Sequence, residues 1–279
     1  QQGNRDSRSA GGTQRHNLQG ACTLWSYAGH IQRRQGTENT LTKEQQEDGG
    51  KMQHEELKFQ SGGGQQLNRL YNIDCMEAMR NIPDKYFQLA ITDPPYGIGI
   101  DGQKISINKN PKHNRKEHQR KGWDKSIPQE EYFRELERVS VNQIIWGGNY
   151  FVEHLKEGHK GWIVWDKGQR GLTMSDCELA YTSFDKPTRI VTINRAELAK
   201  DGTIHPTQKP VKLYEWILKN YAQPGDRIID THAGSGASCI ACHRMRYEWL
   251  AFEIDKDYYR KATERIQAEQ AQLSIFDFL

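Results

Sequence analysis

The stretch Phe87–Ile91, followed by Thr92-Asp93-Pro94-Pro95-Tyr96-Gly97, sets the first constraint on this chain. A short apolar run of that length is a buried strand. The two prolines fix φ and lack a backbone N–H, so neither a ladder nor a helix continues through them. Asp93 and Tyr96 are therefore presented from a rigid corner at the carboxyl end of a strand. Open α/β sheets bind their ligands at that end.

The remaining chain alternates strands with helices. Arg69–Ile73 reads as a strand closing on Asp74, and Cys75–Asn81 as a short helix stopped before Pro83. Gln129–Val139 is an amphipathic helix, Gln143–Trp146 a strand broken by Gly147-Gly148, and Trp162–Trp165 a strand ending on Asp166. Glu178–Phe184 and Arg189–Ile193 form a pair of strands around Asp185-Lys186-Pro187. Lys209-Pro210 opens a helix through Tyr221, with proline in the first turn where its missing N–H costs nothing. The strand Arg227–Asp230, a helix Ala237–Met245, the strand Trp249–Glu253 and a helix Asp257–Ala271 complete the series. This alternation predicts an α/β fold with a mostly parallel central sheet.

Residues 1–65 differ in kind. They are rich in Gln, Gly, Arg, Ser, Thr and Asn without apolar periodicity, the composition of a disordered segment, and Ser61-Gly62-Gly63-Gly64 reads as a linker. The first methionine is Met52, and residues 1–51 are read as upstream sequence outside the working enzyme. The absence of an apolar run of about 18 residues argues against a membrane span, and with no basic-then-apolar leader the chain is expected to be cytoplasmic. Five irregularly spaced cysteines suit a reducing compartment.

Net charge is only +3, so composition alone does not demand an anionic partner. Its distribution does more. Between Lys104 and Lys125 eight Lys/Arg face two acids, Glu117 and Asp124. Lys109, Lys112, Arg115, Lys116, Arg120 and Lys121 are the candidate phosphate contacts. A solvated loop is the alternative reading.

Ile228-Ile229-Asp230-Thr231-His232-Ala233-Gly234-Ser235-Gly236 is a strand, a glycine loop and a helix start. Glycine lets a ligand approach the backbone, and a helix N-terminus offers unpaired N–H groups. Glu253 stands 19 residues after Gly234 at the end of the next strand, where an acid suits a ribose diol. The unit reads as a nucleoside site. Gly97-Ile98-Gly99-Ile100-Asp101-Gly102 also spells G-x-G-x-x-G, yet leads into a polar loop instead of a helix and is read as a decoy. Cys239-Ile240-Ala241-Cys242-His243 matches a haem-attachment pattern but is better explained by small cysteines buried on a helix, and no metal site is expected. His205-Pro206-Thr207-Gln208-Lys209-Pro210 sets a cation and a hydroxyl just before a helix.

Together, Asp93-Pro94-Pro95-Tyr96, the His205–Pro210 segment and the glycine loop resemble the amino-group DNA methyltransferases that modify adenine N6 or cytosine N4. The order, with the catalytic motif first and the cofactor motif last, is similar to their β group. The resemblance spans about Leu67 to Ala271. It implies a Rossmann-like methyltransferase fold with helices on both sheet faces, a circularly permuted motif order and S-adenosylmethionine as cofactor. It also implies that residues 66–271 form the catalytic domain.

By the same resemblance, Asp93 and the Pro94 carbonyl would accept hydrogen bonds from the exocyclic amine of a flipped base, held at the Pro94-Pro95 corner, while Tyr96 stacks on it. Asp230, His232, Gly234, Ser235 and Gly236 would lie along the cofactor, with Glu253 on its ribose, Asp74 near its adenine, and Thr207 and Lys209 near its carboxylate. The family usually carries Asp-Pro-Phe before the glycines. Here Thr231 and His232 replace Pro and Phe.

Double-stranded DNA is the implied partner, contacted through the basic loop 101–125 and a candidate target-recognition segment 167–204. Adenine N6 is favoured over cytosine N4, because the cytosine members more often carry serine where Asp93 stands. RNA or protein-amide methylation, and a DNA-binding module that has lost catalysis, are the competing readings. Gln272-Leu273-Ser274-Ile275-Phe276 in the tail 272–279 resembles the peptides that dock on the bacterial sliding clamp. The oligomeric state is open, a homodimer included.

Overall fold

Eight strands hydrogen-bond into one sheet in the order β1-β8-β7-β2-β3-β5-β4-β6 in the computed structural model. The structure describes residues 67–102, 121–156, 158–171, 175–194, 203–205 and 207–276, all within the unit His54–Leu279. In chain order the elements are β1 (Arg69–Tyr71), α1 (Cys75–Met79), β2 (Phe87–Thr92), α2 (Glu130–Val139), β3 (Ser140–Trp146), β4 (Trp162–Asp166), β5 (Cys177–Thr182) and β6 (Arg189–Thr192). There follow α3 (Val211–Tyr221), β7 (Arg227–Asp230), α4 (Ala237–Arg244), β8 (Glu248–Phe252) and α5 (Lys256–Phe276). The basic loop between Gly102 and Lys121 and the segment 1–65 lie outside the described residues.

Seven strands run the same way and β5 runs against them. Successive residues turn to opposite faces, as the pleat requires. Ile228, Trp249, Ala251, Ile144 and Trp146 meet α3, α4 and α5 on one face. Ile229, Leu250, Phe252 and Ile145 meet α1 and α2 on the other. Strands buried on both faces read as continuous apolar runs, which explains why their positions are visible in the sequence.

Helix α2 buries Tyr132, Phe133, Leu136 and Val139 and has two of its four acids, Glu130 and Glu131, in the first turn. Burial of side chains of this size contributes about 1.5–3 kcal/mol each, and the acids complement the helix dipole. The chain passes from α2 into β3 without a loop. Ser140 is already extended at φ −128° and ψ 148°, and its hydroxyl donates to Leu136 O at 2.5 Å. β3 therefore starts three residues before the expected Gln143.

At the other end, α5 runs through Phe276. The segment from Gln272 thus continues the helix past Ala271 and is not an extended tail. The cysteines Cys239 and Cys242 are buried on α4. Among the described residues, no helix is long and apolar enough to cross a membrane.

Strand order reverses between β7, which leads outward to β8 and β1, and β2, which leads to β3. Ligands bind in the crevice at such a switch point. Thr92-Asp93 at the end of β2 and Asp230-Thr231 at the end of β7 are therefore neighbours.

Candidate active site

At the end of β2 the backbone turns at Asp93, and both of its carboxylate oxygens are occupied. The Tyr96 hydroxyl donates to Oδ1 at 2.5 Å, and Lys209 Nζ donates to Oδ2 at 2.5 Å. Tyr96 is stacked on Tyr150, with centroids 4.9 Å apart and planes 16° from parallel. Lys209 also reaches Glu178 Oε2 at 3.1 Å, and Lys167 holds the other Glu178 oxygen at 2.8 Å. The sequence reading set Lys209 beside a cofactor carboxylate. Its ammonium is instead buried between two carboxylates of the chain itself, because burial of a lysine requires such pairing. Burial pushes Asp93 above the ordinary carboxylate range against the opposing pull of Lys209. Burial also acts on Glu178, but its two lysines hold that carboxyl below its ordinary value.

The glycine loop is set by Asp230. Its Oδ1 accepts from the His232 N–H at 3.0 Å, and its Oδ2 accepts from the Ser238 hydroxyl in the first turn of α4. Burial raises Asp230 to about 7. Beneath the loop, Thr231 Oγ1 lies 2.7 Å from Thr92 Oγ1 and 2.8 Å from the Tyr132 hydroxyl, with His232 Nδ1 at 3.0 Å. Burial lowers His232 to about 4, so its ring is neutral near pH 7. Glu253 accepts from Gly234 N at 2.9 Å and Asp255 N at 2.8 Å. Burial raises it to about 7.

One cavity of about 330 Å³ runs from the corner to Glu253. Asp93, Pro94, Pro95, Tyr96, Thr207, Lys209, His232, Gly234, Ser235 and Glu253 all line it, so ten positions singled out in the sequence converge. Three do not line it. Asp74 caps α1, accepting from Met76 N at 2.7 Å. Asp230 holds the loop from behind. Gly236, at φ +71°, presses on α5, where an added Cβ would meet Ile266 Cδ1 at 3.0 Å. The resemblance implies a place near the cofactor for all three; the contacts they make within the chain are capping, loop support and helix packing.

Trp123, His205 and Tyr258 close one side of the cavity, His205 lying 5.2 Å from the Trp123 ring and 4.4 Å from the Tyr258 ring. Asp124 carries the turn beneath Trp123. Its carboxylate accepts from Gly97 N at 2.7 Å and Ile100 N at 2.8 Å. The G-x-G-x-x-G stretch thus wraps a carboxylate of its own chain. Asp101 in turn accepts from the backbone N–H groups of Lys121 and Gly122.

Of the basic candidates, Lys109, Lys112, Arg115, Lys116 and Arg120 lie outside the described residues. Lys121 is described and is committed elsewhere. Its ammonium pairs with Asp255 at 2.6 Å and Asp257 at 2.9 Å, and so is not a free phosphate contact. Within the segment 167–204, ten of the described residues belong to the sheet, as β5 and β6.

Sequence reasoning missed Glu178, Lys167, Tyr150, Trp123 and Tyr258. A usable signal existed for Glu178 alone, a carboxylate at the start of an otherwise apolar strand run.

Residues 143–264 match the family described as DNA methylase, the N6/N4 amino-methyltransferases. A type II methyltransferase of Haemophilus parainfluenzae, M.HpaI, is 26% identical over 242 residues, covering 72% of this chain and 74% of the relative. M2.DpnII of Streptococcus pneumoniae, also a type II methyltransferase, is 35% identical over 65 residues, 23% of this chain and 24% of that one. The crystal structure of the M1.HpyAVI–SAM complex aligns with TM-score 0.50 and 21% identity over 71% of this chain and 98% of that chain. That likeness carries the fold.

Proposed function

We propose that the chain transfers a methyl group from S-adenosylmethionine to the exocyclic amine of a flipped base in double-stranded DNA, adenine N6 in preference to cytosine N4. The observation that carries this reading is the single cavity joining the Asp93–Tyr96 corner to the glycine loop and Glu253. Its volume of about 330 Å³ falls within the roughly 300–1,000 Å³ of small-molecule sites.

The residues present fit the cofactor. Glu253 spends one lone pair of each oxygen on Gly234 N and Asp255 N, and a carboxylate has about four such sites. Two remain for a ribose diol. The backbone of Gly234 and Ser235 and the aromatic side formed by Trp123 and Tyr258 line the same cavity. When bound, S-adenosylmethionine supplies an electrophilic methyl group on a sulfonium sulfur.

An exocyclic amine is a poor nucleophile because its lone pair is delocalised into the ring. Asp93 and the Pro94 carbonyl, accepting its two N–H groups, localise that pair and fix its direction, and Asp93 is placed to take the proton that the nitrogen sheds. Alignment of this kind is worth several kcal/mol. The base must leave the duplex to reach the corner, at a cost of a few kcal/mol that stacking on Tyr96 offsets in part. Preference for adenine rests on Asp93 standing where the cytosine members of the family more often carry serine.

Single-molecule sequencing of DNA from cells expressing the protein tests both levels. N6-methyladenine at one recurrent sequence is the expected result. N4-methylcytosine would overturn the base assignment, and unmodified DNA would overturn the function.

A further inference from the structure

Lys209 is 2% exposed, between the Trp146 ring at 5.2 Å and the Tyr96 ring at 5.7 Å. Its three ammonium protons have three acceptors: Asp93 Oδ2 at 2.5 Å, Glu178 Oε2 at 3.1 Å and the Tyr96 oxygen at 3.2 Å. Tyr96 donates its own proton back to Asp93 Oδ1. Asp93, Tyr96 and Lys209 thus form a closed triangle, and Glu178, itself anchored by Lys167, draws the ammonium from the far side.

We propose that Lys209 and Glu178 are positioning residues for Asp93, the ammonium fixing the carboxylate as an oriented anion and Glu178 limiting how tightly it is held. The inference rests on the methyltransferase reading and deepens it. A carboxylate accepts an amine N–H well only when ionised, and burial favours its protonated form. Lys209 supplies the missing counter-charge. Held by Asp93 alone, the same ammonium would compete with the target amine for Oδ2. Glu178 divides its attraction, so that an arriving N–H can take that oxygen.

The charged and titratable groups facing Asp93 are Tyr96 on its own corner, Lys209 and Tyr214 at and on α3, Glu178 on β5 and Asp230 at the end of β7. Glu178 raises the Asp93 pKa and Lys209 lowers it, so removing each moves it in opposite directions.

The test is the acid limb of the kcat–pH profile, read beside a ¹³C-carboxyl NMR titration of Asp93 in the unliganded enzyme. Glu178→Gln is expected to move the limb to lower pH by about one unit. The activity loss should fall on kcat, with KM for DNA within about twofold of wild type. Lys209→Gln is expected to move the limb to higher pH, and Lys209→Arg to return it toward wild type. Limbs that do not move, or that move the same way in both glutamine variants, overturn the proposal. Should Lys209→Gln fail to fold, the Asp93 titration in Glu178→Gln decides alone: a downward shift supports the proposal and none overturns it. The NMR titration needs no turnover, so a wild-type enzyme without methyl transfer would count against the functional reading only.

Discussion

Gly147→Ala separates the position of Tyr96 from every other property of the site. Gly147 follows β3 at φ +71° and ψ 20°, and its N–H donates to Leu179 O at 2.8 Å. A Cβ built there would lie 2.6 Å from Tyr96 Cδ1 and 2.7 Å from Cζ, and nearer still to Cε1. Carbon atoms settle at roughly 3.5–4.0 Å, so the ring must retreat by about 1 Å. The 2.5 Å bond from its hydroxyl to Asp93 does not survive such a shift. Alanine in left-handed backbone costs about 1–2 kcal/mol, enough to lower Tm by about 2–8 °C in a domain of this size. The variant should therefore fold. A misplacement of about 1 Å next to the reacting group costs on the order of 10²-fold in rate. Transfer of labelled methyl to unmethylated DNA, with melting followed by circular dichroism, reads both quantities. A folded Gly147→Ala enzyme that methylates at the wild-type rate would refute the claim that Tyr96 must sit where it does.

Asp93→Ala should abolish methyl transfer while calorimetry still detects S-adenosylmethionine binding; undiminished turnover would remove Asp93 from the chemistry. Glu253, raised to about 7 by burial, accepts ribose hydroxyls best as an anion. Cofactor affinity should then rise from about pH 6 to about pH 8 and lose that dependence in Glu253→Gln, as titration calorimetry at several pH values would show. Stability runs the other way. Glu253 and Asp230, both raised to about 7, bind protons in the folded state that the unfolded chain releases, so their contribution is present at low pH and lost as pH rises through about 7. His232, lowered to about 4, opposes them only below its ordinary value of about 6.5. The unliganded enzyme should melt higher at about pH 6.5 than at about pH 8, and Asp230→Asn should shrink the difference. Tyr132→Phe removes a hydroxyl from Thr231 and should cost about 1 kcal/mol in urea unfolding.

Local patterns carried most of the fold. β7 has the bounds that its apolar run suggests and β2 runs one residue further, to Thr92, because a buried strand is continuous in sequence. The start of β3 was invisible, since the switch from helix to strand at Ser140 uses no glycine or proline. At the site, the motifs that bring Asp93, Tyr96, the glycine loop and Glu253 to one cavity obey local backbone rules and could be read in the sequence. The partner of Lys209 was not. Its contact with Asp93 spans 116 residues of sequence, and an ion pair closed by tertiary packing leaves no local trace. Asp74 and Gly236 came from the resemblance, and the cap and the helix contact they make within the chain had no signal of their own in the sequence.

Thr231-His232, standing where the methyltransferases that this chain resembles usually carry Pro-Phe, has a physical logic that lies in the pair and not in either residue. An imidazole in a buried aromatic position brings two ring nitrogens that phenylalanine lacks, and an unpaired buried polar atom costs about 1–3 kcal/mol. Thr231 brings the hydroxyl that a proline cannot, 3.0 Å from His232 Nδ1. That hydroxyl is held in turn by Thr92 at 2.7 Å and Tyr132 at 2.8 Å. Without it, Nδ1 would keep only Thr92 at 3.3 Å and Tyr132 at 3.5 Å. The imidazole remains flat, neutral and packed edge-on against Tyr132, at 75° between planes and 5.3 Å between centroids. A planar neutral ring thereby lines the cavity beside Gly234.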